Sequence, residues 1–214
     1  MQRIELGEGA YLERDERWLA PAEAAATFAA LADEVPWEAR AIRVFGREVM
    51  QPRLVHYVGD ADAAYTYSGV RHEPHAFTPT LASLRARLRA ALGIDFNAVL
   101  CNLYRDGRDA MGMHRDAEPE LGEEPVIASL SLAATRRFVL RARGHIAPKK
   151  LDLWLPSGSL LVMRGTTQRH YRHGLPRAPS VREPRINLTF RCVFPAATGT
   201  IVGARRTHVV GEPP

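Results

Sequence analysis

The spacing of apolar and polar positions, together with proline and glycine at the ends, predicts two helices in the first half of the chain. The first is predicted over Pro21–Glu34, where a proline suits the opening turn and the body is rich in alanine. The second follows Thr78 and Pro79, has leucines at helical spacing and ends at Gly93. Both helices are expected to pack on the outside of a larger structure.

From Phe96 onward the pattern changes to short segments of β-forming residues, separated by glycine, proline and charged turns. Seven segments are predicted as strands, at 97–104, 126–132, 137–143, 151–155, 159–163, 168–173 and 185–194. Because no helix intervenes, the pattern predicts a mainly β fold with flanking helices, either a sandwich or a jelly roll. The N-terminal segment is expected to pack outside it, like the helices.

Composition limits the number of domains and the cellular setting. With 214 residues, 46% of them hydrophobic, the chain can form one sizeable core but is too short for two ordinary domains. No apolar run approaches the length of a signal sequence or a membrane span, so we expect a cytoplasmic protein without membrane contact. Cys101 and Cys192 lie in apolar, strand-like segments and are expected to be buried, inert thiols.

Two histidine-containing segments together have the composition of a metal site. His114 and Asp116 are two residues apart, so they share a face if the segment is extended. His170 and His173 would point to opposite faces of a strand, so only one can readily join that pair, and we take His173. Two histidines and a carboxylate form the facial triad of non-haem Fe(II) oxygenases. His-x-Asp alone is a short pattern, however, and it also occurs in exposed loops.

The segment 185–191 alternates strictly between polar and apolar residues, which predicts a strand with two unlike faces. Its polar face consists of Arg185, Asn187, Thr189 and Arg191. An ordinary strand could simply expose this face to water. Because a guanidinium is a planar fork suited to carboxylates, two arginines on one face could instead hold a dicarboxylate. Asn102 and Tyr104 share a face of an earlier strand and could add hydrogen bonds.

The order of these motifs resembles that of the AlkB family of nucleic-acid dealkylases. The resemblance covers residues 43–193 and rests on Asn102-Leu103-Tyr104, His114-Arg115-Asp116, His173-Gly174-Leu175-Pro176 and Arg-x-Asn-x-Thr-Phe-Arg at 185–191. It implies a double-stranded β-helix, that is, a jelly roll. Within one compact domain, residues 1–95 would contain the N-terminal helices and a nucleotide-recognition region. Residues 96–195 would form the catalytic core, and 196–214 a tail.

The resemblance also implies roles for individual residues. The metal Fe(II) would be bound by His114, Asp116 and His173. The distal carboxylate of 2-oxoglutarate would pair with Arg185, helped by Tyr104, and its metal-bound end would lie near Asn102 and Arg191. The remaining polar residues of that strand, Asn187 and Thr189, would complete the cosubstrate site.

On the substrate side, Glu118 matches an acidic position that reads the exocyclic amino group of a damaged base. Without the resemblance it would be interpreted as an exposed member of an acidic run. Tyr67 matches an aromatic that stacks on an extruded base, with Tyr65 beside it, although aromatics two residues apart are more often packing residues. Phe45, in Val-Phe-Gly, resembles the wedge of the homologue that prefers double-stranded DNA, and we expect the resemblance to be strongest to that homologue.

The implied reaction is oxidative demethylation of alkylated DNA in direct-reversal repair, with N1-methyladenine and N3-methylcytosine as substrates. It would consume 2-oxoglutarate and O₂ and release formaldehyde, succinate and CO₂. A net charge of +5 and a pI near 9.6 are compatible with a polyanionic partner. A monomer is expected. Three alternatives remain open: a related oxygenase acting on RNA or protein, a non-catalytic nucleic-acid-binding module, and a zinc hydrolase.

Overall fold

A computed structural model describes residues 1–44, 47–67 and 70–194, with side chains except at 42–44, 65–67 and 70–72. In these ranges the helices are α1 (Pro21–Glu34), α2 (Pro79–Leu92) and α3 (Thr167–His170), with a 3₁₀ turn at Pro119–Leu121. The strands are β1 (Gln2–Gly7), β2 (Ala10–Asp15), β3 (Glu38–Val44), β4 (Arg47–Gly59), β5 (Tyr65–Tyr67), β6 (Val70–His72), β7 (Ala98–Tyr104), β8 (Met111–His114), β9 (Ile127–Ala133), β10 (Arg136–Ala142), β11 (Lys150–Leu155), β12 (Leu160–Gly165), β13 (Tyr171–Leu175) and β14 (Arg185–Arg191).

Most of the strands form two antiparallel sheets. The larger sheet has the order β1-β2-β12-β9-β14-β7-β4-β3, and the smaller has the order β11-β10-β13-β8. A cluster of buried apolar side chains joins the facing sides of the sheets and includes Leu12, Met163, Phe138 and Leu153. This arrangement confirms the predicted jelly roll, and it leaves the space between the sheets for a site.

Helices α1 and α2 cover the outer face of the larger sheet. Leu31 and Leu88 pack there in one buried cluster with Ile186, Leu188 and Phe190 of β14. The bounds of both helices agree with the sequence, since proline begins each one. At α2 the Thr78 hydroxyl accepts a hydrogen bond from the Leu81 N–H, and Gly93 ends the helix in the left-handed region at φ 69°.

The expectation that the N-terminal segment packs outside the β fold is wrong. The β1–β2 hairpin joins one edge of the larger sheet, where β2 pairs with β12, and the β3–β4 hairpin joins the other edge through β7. These strands carry many charged residues because each lies at or near a sheet edge, where one face remains in contact with water. Their polar composition hid them from a search for β-rich segments.

The predicted strand at 168–173 is also wrong in its first half. Residues Thr167–His170 form the short helix α3, closed by a hydrogen bond from the His170 N–H to the Thr166 carbonyl at 3.0 Å, and the strand begins only at Tyr171. The last strand ends at Arg191 rather than at 194. Of the two free thiols, Cys101 is buried as expected, whereas Cys192 is only partly buried.

Strand β14 lies in the middle of the larger sheet, between β7 and β9, and every one of its residues is buried. Its apolar face packs against the helices, so its polar face must point between the sheets. An ordinary half-exposed strand is thereby excluded. Within the described ranges, no helix is long and apolar enough to cross a bilayer.

A glycine in the loop after β7 gives a test of how tightly the chain leading into β14 is packed. A Cβ on Gly107 would lie 1.7 Å from the Ala178 carbonyl oxygen, whereas one on Gly112 would meet nothing within 4 Å. We expect Gly107→Ala to lower the free energy of unfolding by about 1–3 kcal/mol or more, because backbone must move. The matched control Gly112→Ala should change it by less than about 0.5 kcal/mol in urea titrations. Equal effects of the two substitutions would contradict this packing.

Candidate active site

Two strands of the smaller sheet bring a pair of histidines together. His114 ends β8 and His173 lies in β13, and the two residues are direct cross-strand partners. Their rings meet edge to face with centroids 4.3 Å apart. Asp116 follows β8 by two residues, so the turn of the chain after the strand delivers its carboxylate to the same place.

The three side chains offer one compact set of ligand atoms. Asp116 Oδ1 lies 4.0 Å from His114 Nε2, and its Oδ2 lies 4.0 Å from His173 Nε2. All three ligand atoms are within 4.8 Å of one another. Two imidazole nitrogens and one carboxylate oxygen on one side of a cavity are the donor set of a facial triad.

The histidines are held in the form that a metal requires. The His114 Nδ1 is 2.9 Å from the Gly112 carbonyl and must donate to it, which leaves Nε2 without a proton and facing Asp116. Burial lowers the pKa of His114, and it lowers the pKa of His173 to about 3. Both rings are therefore neutral at pH 7, as metal ligation demands.

Asp116 is fixed by two neighbours and keeps one oxygen available. Its backbone N–H donates to Gln168 Oε1 at 3.0 Å, and Arg191 Nη2 donates to its Oδ1 at 3.0 Å. Burial, the largest single influence, raises its pKa, but several opposing interactions, of which the charge of Arg191 is the largest, together lower the pKa to about 2. Its buried Oδ2 has no hydrogen-bond partner among the described residues. A buried, ionised carboxylate oxygen without a partner fits a metal ion.

At the other end of the same cavity lies Arg185, which is 2% exposed. Its Nη2 donates to Ser131 Oγ at 2.8 Å, and its guanidinium lies 5.3 Å from the centre of the Tyr104 ring. No carboxylate of the described ranges forms an ion pair with it, and its Nε is buried without a hydrogen bond. Burial lowers its pKa to about 10, so it remains charged at pH 7. The arrangement fits an anion entering the cavity.

The other polar residues predicted for the cosubstrate site line the cavity and already have partners. Asn102 accepts from Arg53 Nε at 2.7 Å through its side-chain oxygen. Asn187 donates to Ser129 Oγ at 2.8 Å and to the Leu130 carbonyl at 3.0 Å, and the Thr189 hydroxyl donates to Asn187 Oδ1 at 3.3 Å. These contacts hold the lining rigid.

Comparison with known proteins agrees with this geometry. The model of the 2OG-Fe(II) oxygenase superfamily matches residues 15–191. The chain is 40% identical over 182 residues to the human DNA oxidative demethylase ALKBH2, covering 81% of this chain and 70% of that one. It is 39% identical over 185 residues to the bovine alpha-ketoglutarate-dependent dioxygenase alkB homolog 3, covering 83% of this chain and 64% of that one.

The chain belongs to the AlkB family of Fe(II)- and 2-oxoglutarate-dependent oxygenases. Fe(II), 2-oxoglutarate and O₂ are the cofactors of this superfamily. The solved structure of OsALKBH1 superposes with a TM-score of 0.60 at 16% identity, covering 84% of this chain and 97% of that one, which supports the shared fold. The chain spans less than two thirds of the alkB homolog 3 proteins, for example 61% of the human one.

Sequence reasoning missed several residues that support this AlkB-family site. Arg53 and Arg136 are 3% and 1% exposed, and Arg136 donates to the carbonyls of Asp106, Asp109 and Pro176. Gln168 and Ser131 hold Asp116 and Arg185 respectively. The strands of both arginines contain other charged residues, so the sequence marks neither arginine as buried nor indicates which partners these side chains meet.

The sequence-based reason for choosing His173 over His170 as a ligand, that the two point to opposite faces of one strand, is incorrect. The two do not alternate along one strand, since His170 ends α3 and is half-buried, whereas His173 is buried in β13. Among the described residues, His170 is not part of a cluster of possible metal ligands. His173 therefore lies beside His114 and Asp116 for a different reason, namely the pairing of β8 with β13.

Glu118 lies at the edge of the cluster and is partly buried. Burial, and secondarily the charge of Asp116, raise its pKa. Its Oε2 is buried and has no hydrogen-bond partner in the described part of the chain. An acceptor in this position suits a donor on a bound molecule.

The aromatic residues predicted to contact a base cannot be compared with the geometry. Tyr65 and Tyr67 lie on β5, which pairs with β6, but their side chains are outside the described set. Phe45 also lies outside the described residues. Their proposed roles therefore stay predictions.

The cluster predicts which histidine variants lose iron. We expect His114→Ala, Asp116→Ala and His173→Ala each to abolish iron binding and turnover, because each removes one of three ligands. His170→Ala should bind iron like the parent chain and serves as the matched control. Anaerobic Fe(II) titration and succinate release measure both quantities, with circular dichroism to verify folding. Loss of iron from His170→Ala with retention in His173→Ala would refute the assignment.

Proposed function

We propose that the chain oxidatively demethylates N-alkylated bases in DNA. The observation that carries the proposal is one cavity that contains, at opposite ends, the His114, Asp116 and His173 cluster and the buried guanidinium of Arg185 without a carboxylate partner among the described residues. The first end suits a catalytic metal, and the second suits the far carboxylate of a dicarboxylic cosubstrate. A zinc hydrolase would not require a buried arginine that binds a cosubstrate carboxylate.

In the proposed mechanism, His114, Asp116 and His173 would hold Fe(II). Bound Fe(II) and O₂, with 2-oxoglutarate as reductant, would supply oxidation of the N-alkyl carbon, giving succinate, CO₂ and formaldehyde. Arg191 would keep Asp116 ionised and oriented, since its Nη2 is 3.0 Å from Oδ1. Gln168 would fix the backbone at Asp116 through a 3.0 Å hydrogen bond. Arg191 thus acts largely through Asp116.

The protein would orient 2-oxoglutarate by charge. Arg185 would pair with the distal carboxylate, with Tyr104 and Ser131 holding the guanidinium in place. Asn102, already oriented by Arg53, would lie toward the metal-bound end. Asn187 and Thr189 would form the polar wall between the two ends, where their mutual hydrogen bond limits their movement.

On the substrate side, Glu118 would accept a hydrogen bond from the exocyclic amino group of the base through its unpartnered Oε2. Adenine and cytosine both carry such a group, which supports N1-methyladenine and N3-methylcytosine as substrates. A base must leave the duplex to reach a cavity between two sheets, at a cost of a few kcal/mol that is smallest for lesions that weaken pairing. Tyr67 and Tyr65 would stack on it. The net charge of +5 favours a nucleic-acid partner. A cytoplasmic monomer stays a prediction.

The decisive experiment is release of formaldehyde from defined oligonucleotides, supplied with Fe(II) and 2-oxoglutarate. The panel contains N1-methyladenine and N3-methylcytosine in DNA and in RNA of the same sequence, with unmethylated strands as controls. We expect formaldehyde from methylated DNA in step with succinate. Succinate without formaldehyde would reject base demethylation, and formaldehyde from RNA alone would move the substrate to RNA.

Arg185→Leu tests the cosubstrate assignment. Removing one partner of a desolvated charge pair costs about 2–5 kcal/mol, so the concentration of 2-oxoglutarate needed for half-maximal rate should rise roughly 30-fold or more. The KM for DNA should change much less. The control Arg182→Leu, an exposed arginine three residues away, should leave both constants unchanged. An unaltered 2-oxoglutarate constant in Arg185→Leu would remove Arg185 from the proposed site.

Phe45→Ala tests whether the chain assists base extrusion from duplexes. If Phe45 fills the gap left by the base, its loss matters only where a stack exists. Base–aromatic stacking is worth about 1–3 kcal/mol, so kcat/KM on duplex substrate should fall roughly 5- to 150-fold, while single-stranded substrate is unaffected. The melting temperature controls for folding. Equal losses on both substrates, or a large fall in melting temperature, would identify Phe45 as a packing residue.

A further inference from the structure

A second group of metal-binding side chains lies outside the AlkB-family cavity. Glu38 on β3, His56 on β4 and His75 in the segment after β6 each present one ligand atom, and these atoms lie within 4.8 Å of one another. The two imidazole rings are 4.5 Å apart between centroids and tilted by 31°. The proposed dealkylation uses none of the three.

Backbone pairing holds the three residues in position. Glu38 pairs across the β3–β4 ladder with Val55, the neighbour of His56. His75 is tied to the same strand by two hydrogen bonds, from its N–H to the Tyr57 carbonyl at 3.1 Å and from the Gly59 N–H to its own carbonyl at 2.9 Å. The group therefore belongs to the folded sheet and does not depend on a chance meeting of surface side chains.

The His56 side chain faces away from the active-site cavity. Along β4, Arg53 bonds to the cavity residue Asn102, whereas Val58 packs in the cluster under the helices. Side chains alternate along a strand, so His56 shares the face of Val58. The lining of the cavity that contains His114, Asp116 and His173 includes none of the three residues of this group.

The chemistry of the three side chains is that of a metal site. His56 is 2% exposed, and its buried Nδ1 has no hydrogen-bond partner in the described ranges, which is costly for a polar atom. Arg40 Nε donates to Glu38 Oε2 at 2.9 Å and so orients the carboxylate, as outer partners of metal ligands do. Burial lowers the pKa of His56, and the Arg40 hydrogen bond lowers that of Glu38.

We propose that Glu38, His56 and His75 bind a zinc ion. Two imidazole nitrogens and one carboxylate oxygen are a common zinc ligand set, with water as the fourth ligand, and His75 is exposed enough to leave that position open. Tetrahedral zinc places its ligand atoms about 3.3 Å apart. Small side-chain rotations are therefore enough to bring the three ligand atoms to the distances that zinc requires. The ion links the segment after the β5–β6 hairpin to the β3–β4 edge of the larger sheet.

Counting bound zinc tests the proposal without any measurement of turnover. After equilibrium dialysis against buffered Zn²⁺, the parent chain should hold one equivalent more than His75→Gln or Glu38→Gln, and the exposed control His145→Gln should match the parent. In Asp116→Ala, where the other cluster lacks its carboxylate, zinc should remain bound. Adding His75→Gln to that variant should remove it.

Melting temperature gives a second readout on the same chains. Zinc should raise the melting temperature of Asp116→Ala, because an ion that binds only the folded state stabilises it, and should fail to raise that of Asp116→Ala with His75→Gln. If Asp116→Ala does not fold, the comparison of parent with His75→Gln still decides. Equal zinc in the parent, His75→Gln and Glu38→Gln would overturn the proposal. Failure of dealkylation would not contradict the zinc proposal, since the two clusters share no residue.

Discussion

The charge of Arg185 inside the sheet sandwich is the constraint on which the rest of the site depends. A guanidinium that is 2% exposed has lost its water, and one serine hydroxyl with the face of one tyrosine replaces only part of it. Arg191, on the same face of β14, is instead paired with Asp116. Their Cα atoms are six residues apart along the strand, about 20 Å of backbone. Within the described residues, the strand therefore has a cation paired with Asp116 near the histidines and a cation without a carboxylate partner at the far end. We propose that this asymmetry orients a bound dicarboxylate.

The metal end depends on the same strand. Burial raises the pKa of Asp116, and the opposing interactions, of which the charge of Arg191 is the largest, together lower it to about 2. The two histidines are neutral because they are buried, and the Gly112 carbonyl selects the tautomer of His114. One central strand thus sets the charge state at both ends of the cavity. This explains why β14 has no residue exposed to water, although four of its seven residues are polar.

Local signals in the sequence were sufficient for some features and insufficient for others. Proline at the start of α1 and of α2, and Gly93 at the end of α2, act within one turn of helix, so the sequence predicts those bounds correctly. His114 and Asp116 were also recognisable as a His-x-Asp pair, although β8 ends at His114 and Asp116 reaches the site from the segment after the strand rather than by sharing a strand face. The pairing of His173 with His114 depends on β8 meeting β13, and the roles of Gln168 and Ser131 depend on contacts over 52 and 54 residues. Charged strands such as β1 and β2 were missed because edge position, rather than composition, makes them strands.

The central claim is that the cavity demands a second carboxylate, opposite the metal. It is tested most directly by anaerobic thermal shift on the Mn²⁺-loaded chain with 2-oxoglutarate and with 2-oxopentanoate, which has the same keto acid and chain length but no distal carboxylate. Ligands that bind the folded state raise the melting temperature in proportion to the logarithm of their concentration over Kd. The account predicts a clear rise with 2-oxoglutarate and, at equal concentration, little or none with 2-oxopentanoate. Equal rises with the two acids would contradict it, because Arg185 would then contribute nothing to binding.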